Sequence, residues 1–408
     1  MNRPEKLERD LTAWLADSAT PRVPDFTDDI LWVTARTRQR PRWSFAQRWL
    51  PMRAVALIRR TSKPIPWRTL GLIAVLALLI VAAVSFYVGS QPRLPPAFGL
   101  AATGLVAYAS SGDIYAVDPV TGEREAIVTG PDDDREPRWS LDGTRVAFLR
   151  SSGLGEALVI VDVQRREVVT TTDPLLEVDT DSIAWSPDGR SIAVGASARG
   201  SRVLFIVDAN SGALTPLAVD YLELDVYWRP PVGHQLMFFG GTGPNVGLFM
   251  VDVDDGVVTE IARPAGPGGW IRPSGWTPDG RRAVFMRDDG SGRFRTHIAD
   301  VTTGAEIVID DVAYGHVSND GTRMVALDAD GRLCVANLSG GPCVQIGQPS
   351  QAYEGTHAAG AQWSPDDEWI LIRDLFNGGA MRIDPDGQSA DQPSWIADGA
   401  ESIQRVAP

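Results

Sequence analysis

From Gly104 onward, apolar residues come in short β-rich runs separated by turns of Gly, Pro, Asp and Ser, and the runs keep a fixed order. A Trp-Ser-Pro-Asp-Gly phrase precedes an apolar strand, a second strand closing on Asp, a Gly-containing turn and a third strand. The cleanest copies begin at Trp185 and Trp276, with Trp139-Ser140-Leu141-Asp142-Gly143 and Trp363-Ser364-Pro365-Asp366-Asp367 close behind. Six anchor positions, Trp139, Trp185, Trp228, Trp276, Val317 and Trp363, are spaced by 46, 43, 48, 41 and 46 residues, the period of a four-stranded propeller blade.

The phrase has a mechanical reading. A carboxylate such as Asp142, Asp188, Asp279, Asp320 or Asp366 can take the turn's own N–H groups, and the glycine supplies positive φ. The Trp is expected to pack between neighbouring blades. The runs after each turn, such as Val146-Ala147-Phe148 and Ile192-Ala193-Val194, read as second strands buried on both faces. Third strands close on Asp118, Asp162, Asp208, Asp252, Asp300, Asn337 and Asp384, which makes seven endings. The opening triplet at 105–129 lacks a first strand, and the tail Ser402-Ile403-Gln404-Arg405-Val406 can supply it. The fold class is therefore all-β: a seven-bladed β-propeller over 104–408, closed by joining its two ends. A six-bladed ring is the alternative, if residues 378–395 fail to complete their sheet.

Upstream, the pattern changes. Residues 70–88 carry no charge and no proline, and nineteen residues at 1.5 Å each roughly span a hydrocarbon layer, so a transmembrane helix is predicted. Arg59, Arg60, Lys63 and Arg68 precede it and only Arg93 follows closely, which puts the N-terminus in the cytoplasm and the propeller outside. A cleaved signal peptide competes, but the preceding segment is far too long for an n-region and no Ala-x-Ala site follows. Residues 1–40 read as two short amphipathic helices. Leu7, Leu11, Trp14 and Leu15 recur at helical spacing in the first, a candidate face for a cytoplasmic partner. Residues 41–69 mix aromatics with Arg, as a surface-lying helix or a basic linker would, and 89–103 form a Pro-rich stalk.

Charge sharpens this division. The net charge of −14 splits into fourteen Lys/Arg against seven Asp/Glu in residues 1–68 and 24 against 45 in the remainder. The basic front suits an anionic membrane face, and the acidic ring would repel nucleic acid. The two cysteines, Cys334 and Cys343, fall on adjacent strands across a Leu-Ser-Gly-Gly turn and can staple that hairpin in an oxidising exterior. Two unpaired core thiols are the alternative.

The spaced Trp-Ser-Pro-Asp-Gly copies resemble the WD40-like, or PD40, repeat of TolB-type propellers, over about three quarters of the chain. That resemblance implies the fold, while the repeat serves translocation factors, peptidase caps and sensor ectodomains alike. A cytoplasmic segment and anchor replace the extra N-terminal domain of the soluble translocation factor. The plan of helices, one span and an external propeller is also similar to single-pass anti-sigma regulators. Residues 1–68 contain no His and no Cys, so only the zinc-free variety of that family applies.

Catalytic chemistry is not signalled. No Gly-x-Ser-x-Gly elbow occurs, and His234, His297, His316 and His357 fall in different blades at no metal-binding spacing. Asp132-Asp133-Asp134, Asp288-Asp289 and Asp252 with Asp254 and Asp255 could bind a hard cation, but solvated turns explain them. No cofactor and no metal are expected. The functional candidate is the ring's inner rim, where first-strand starts and the Ser-Pro-Asp-Gly turns are expected to converge. A non-enzymatic, membrane-anchored module binding an extracellular protein, peptide or glycan is the expectation. The alternative is a transmembrane regulator whose cytoplasmic helices hold a sigma factor.

Overall fold

Each copy of the phrase ends one strand and begins the next, and that local act, repeated, builds the ring. The computed structural model describes residues 71–81, 95–198, 200–222, 225–231, 233–266, 269–288, 290, 293–310, 312–347, 361–374, 379–387, 390–391 and 401–407. Residues 95 onward form seven four-stranded antiparallel sheets. Blade 1 orders Glu401–Val406, Ala102–Ser110, Asp113–Val117 and Arg124–Val128 side by side. Blades 2 to 7 occupy 133–171, 176–216, 227–262, 271–309, 312–345 and 361–391, each running in sequence order from its first strand to its fourth. The seven-bladed ring is thus observed, and the short strand Ala390–Asp391 completes the sheet on which the six-bladed alternative turned.

Closure follows the register Tyr108↔Glu401, Ala107↔Ser402, Val106↔Ile403 and Ala102↔Val406. One glycine makes the seam fit. Gly143 sits at φ +69°, and a Cβ there would run into the Arg405 carbonyl.

The core lies between blades. Second strands such as Val146 to Leu149 and Ile192 to Val194 are wholly buried, as their unbroken apolar runs require. Each anchor packs on the blade before it: Trp185 against Leu149, Leu158 and Ile160, Trp228 against Ala193 and Leu204, Trp363 against Val325 and Leu327. The indoles also reach across. Nε1 donates to a carbonyl of the preceding first strand: Trp185 to Arg138, Trp228 to Ala184, Trp276 to Tyr227 and Trp363 to His316, at 2.9–3.1 Å. Successive first strands are thereby tied together and form the inner wall of the ring.

Residues 71–81 form an apolar, exposed helix in a separate unit of the chain. Among the described residues no helix is long and apolar enough to cross a membrane. The rest of the 70–88 segment, residues 1–69 with Leu7, Leu11, Trp14 and Leu15, residues 89–94 of the 89–103 stretch, and His357 lie outside the described residues.

Candidate functional site

First-strand starts and the phrase turns do not converge, contrary to the sequence expectation. They are opposite ends of the same strand, as Ile271–Trp276 shows with Ile271 at one end and the Thr277-Pro278-Asp279-Gly280 turn at the other. The ring therefore has two unlike mouths. One carries the turns, the other the strand starts.

The turn mouth is built from one repeated clamp. In blade 2, Ser140 Oγ donates to Asp142 Oδ1 at 2.6 Å and accepts from Arg145 N at 3.0 Å, while Asp142 Oδ1 also takes Thr144 N. Ser186 with Asp188, Thr277 with Asp279, Ser318 with Asp320 and Ser364 with Asp366 repeat it. Burial pulls the Asp279 and Asp320 carboxyls up, but these hydroxyl and N–H donors outweigh it and leave both below their usual range. These aspartates thus hold their turns through Oδ1. Blade 4 lacks the Ser/Asp pair and uses a cation instead: Arg229 Nε donates to Gly280 O at 2.7 Å, and its guanidinium lies 5.5 Å from the Trp276 ring centre.

Blades 6 and 7 depart from the phrase together. Asn319 replaces its proline and Asp367 its glycine, with Asp367 at φ +61°. Asn319 N, Asn319 Nδ2 and Asp320 N all donate to the Asp367 carboxylate at 2.8 Å. Asn319 Oδ1 in turn accepts from Arg405 Nη1 at 2.8 Å. Arg405 Nε donates to Pro96 O at 3.1 Å, Nη2 donates to Gly99 O, and Ala101 N donates to Pro365 O. The entering segment is thus strapped to the turn mouth by the closing strand. Burial pulls the Arg405 guanidinium down to about 10 against the raising influence of Asp367, so it stays charged at neutral pH.

The far mouth is differently made. Trp270, at the start of a first strand, is 60% exposed. Two residues on, Arg272 pairs with Asp225 at 3.0 Å, both largely buried. Arg150 forks onto the buried Asp134 with bonds of 2.7 and 2.8 Å, and Arg135 pairs with Glu156. The Asp132 to Asp134 run is therefore held by a cation in place of being a solvated turn. Tyr221 donates to Asp179 Oδ2 at 2.8 Å, and burial followed by the Asp179 charge pushes its phenol up, so it remains a donor. This mouth offers an aromatic face and fixed ion pairs, the means of binding by stacking and hydrogen bonding.

Sequence reasoning missed Arg405, Asn319 and Asp367. The available signal was that two irregular copies of the phrase, those with Asn319 and Asp367, fall in consecutive repeats. Of the histidines, His297 is buried beside Glu306 and Arg287, and His234 pairs with Asp254 at 2.8 Å. His316 sits on a first strand with its carbonyl held by Trp363. Among the described residues no group of three or more His, Cys, Asp or Glu could hold a metal ion. Cys334 and Cys343 are joined, tying the third strand of blade 6 to the start of its fourth.

No protein-family model matches the chain. An uncharacterised protein of Agrobacterium fabrum, Atu1656, is 26% identical over 256 residues, 58% of this chain and 83% of that one. An oligogalacturonate lyase from Vibrio parahaemolyticus is structurally similar at a TM-score of 0.54 and 18% identity, over 75% of this chain and 91% of that one. TolB from Acinetobacter baumannii aligns at a TM-score of 0.46 and 14% identity, over 74% of this chain and 66% of that one. The chain is similar in fold to this lyase.

Proposed function

We propose that the protein is a single-pass membrane protein whose propeller, held outside the cell, acts without catalysis as a binding module for a protein, peptide or glycan at its far mouth. One observation carries this reading: the chain enters the ring at the turn mouth, where Pro96 and Gly99 are strapped to Arg405, and the opposite mouth presents Trp270. The uncharged stretch 70–88 and the basic residues before it supply the tether and its orientation. Exposed tryptophan beside a fixed ion pair suits the flat face of a sugar ring or an apolar side chain.

The test has two arms. Protease added to whole cells should digest the propeller and spare the N-terminal segment. Full-length protein in detergent, applied to glycan and peptide arrays, should retain a ligand that Trp270→Ala releases without lowering the unfolding midpoint. Retention that ignores Trp270, or a protease-resistant propeller on intact cells, would refute the reading.

A further inference from the structure

Exposed apolar side chains recur along one arc of the far mouth, at the junctions of blades 2 to 5. Leu154, in the loop between the second and third strands of blade 2, is 79% exposed, and Leu176, opening the first strand of blade 3, is 55% exposed. The two are neighbours: a Cβ on Gly155 would lie 3.3 Å from Leu176 Cδ2. Leu222, which leads into blade 4, and Trp270, which leads into blade 5, continue the series. A lone exposed leucine calls for no explanation, but a run of apolar side chains at one mouth marks a contact surface. These leucines are also held in place. Glu156 and Leu175 exchange two backbone hydrogen bonds of 2.8 Å, Ser152 Oγ donates to Gly155 O at 2.8 Å, and Leu222 N donates to Phe239 O at 3.2 Å. A ligand would therefore meet them without first ordering the loops.

Charge selects the partner. The cations of this arc are engaged within it: Arg135 pairs with Glu156, Arg150 with Asp132 and Asp134, and Arg272 with Asp225, while Arg202 Nη1 donates to Glu177 O. Carboxylates are left over. Asp133, opposite Ser151 in blade 2, Asp173 and Glu177, which flank Leu175 and Leu176, and Asp220, two residues before Leu222, are all exposed. Among the described residues none of these four has a cation within ion-pair distance. The rim thus sets unpaired negative charge around apolar contacts. An anionic glycan, an anionic lipid surface or a second copy of this acidic chain would be repelled there.

We propose that this arc of the far mouth docks a cationic segment of a partner protein, one whose apolar side chains meet Leu154 and Leu176 while flanking Lys or Arg residues face Asp133, Asp173 and Glu177. The inference rests on the far mouth being a binding surface and names what that surface takes. Leucine presents an aliphatic face, which suits an apolar side chain better than the ring of a sugar. Exposed carboxylates each add little, but together they favour a positively charged segment and speed its approach.

The test uses full-length protein in neutral detergent, with detergent alone as the blank, and three fluorescent hexapeptides: Lys-Leu-Lys-Phe-Lys-Leu, its charge-reversed counterpart Glu-Leu-Glu-Phe-Glu-Leu, and Lys-Ser-Lys-Ser-Lys-Ser. The first should bind about tenfold or more tightly than either of the others, and should weaken as salt rises. Leu154→Ser combined with Leu176→Ser should weaken it about tenfold or more, and Leu154→Met with Leu176→Met should restore it. Asp173→Asn combined with Glu177→Gln should weaken it about fivefold and flatten the salt dependence. All four positions are exposed, so unfolding midpoints should match the parent. The proposal falls if the cationic apolar peptide binds no better than its charge-reversed or serine counterpart, or if the Leu154→Ser, Leu176→Ser variant binds it as tightly as the parent. On the arrays, a ligand released by Trp270→Ala but retained by that double variant would leave the far-mouth reading standing and overturn this one. A ligand released by neither would overturn both.

Discussion

Replacing Asp367 by glycine restores the residue found at that place in the turns of Gly143, Gly189, Gly280 and Gly321, and it should nonetheless destabilise the ring. Two effects oppose each other. Asp367 sits at φ +61°, and glycine would relieve about 1 kcal/mol of left-handed backbone strain. Against this, its buried carboxylate receives three N–H bonds at 2.8 Å, from Asn319 twice and Asp320 once. Bonds to a charged acceptor contribute about 1.5 kcal/mol each at the low end, and two of these donors are backbone groups with no substitute in place. Arg405 also loses the negative charge that favours its charged form. The loss of about 4.5 kcal/mol outweighs the gain, leaving a net cost of about 3.5 kcal/mol. Urea unfolding of parent and variant, followed by tryptophan fluorescence, measures it. Asn319→Pro combined with Asp367→Gly rebuilds the ordinary phrase in both copies, and the double variant should cost less than the sum by about 1 kcal/mol or more. A neutral or stabilising Asp367→Gly would refute the reasoning, because backbone strain would then have decided the outcome.

Replacing Trp185, Trp228 or Trp276 by Phe keeps most of the packing and deletes the reach to the preceding blade, so each should cost about 1 kcal/mol or more in the same assay. Trp139→Phe, whose indole has no such partner, should cost less than any of them. Asp118, Asp208 and Asp300 are held low by backbone N–H groups of their own turns. Carboxyls lowered in the folded state stabilise it above their unfolded values near pH 4, and that contribution disappears as pH falls through the folded values. Unfolding midpoints should therefore fall more steeply below about pH 4 than above it, with Asp208→Asn reducing that drop; a midpoint rising from pH 5 to pH 3 would contradict this. Reducing the Cys334–Cys343 bond, which closes a loop of sequence separation 9, should remove about 2.5 kcal/mol by the chain-entropy argument, seen as a lower midpoint with reductant.

What could be read from sequence was whatever each blade needs for itself. The turn of Ser186, Asp188 and Gly189 closes within six residues, so its chemistry is local and its spelling recurs. The closing strand was legible because the opening triplet lacked a partner and Ile403 falls 40 residues after Trp363. Arg405 was not, since its partners lie 86 residues away at Asn319 and 309 at Pro96. Asn319 and Asp367 looked like two decayed copies of the phrase, and only their adjacency in space shows that each departure answers the other. The inner-strand irregularities were equally hidden. Pairing slips between Arg135 and Arg138 and between Pro273 and Gly275, with Glu136 at φ +56°.

Closing the circle with Glu401–Val406 also sets a timetable for synthesis. Ala102–Ser110 leaves the ribosome early, yet its partner arrives roughly three hundred residues later, about 15–60 s at ~5–20 residues per second. Throughout that interval the nascent chain carries an unmated β-edge, a template for aggregation or for a chaperone. Translation that stops short of Glu401 leaves that edge open permanently, so a lost tail marks a defective copy for quality control.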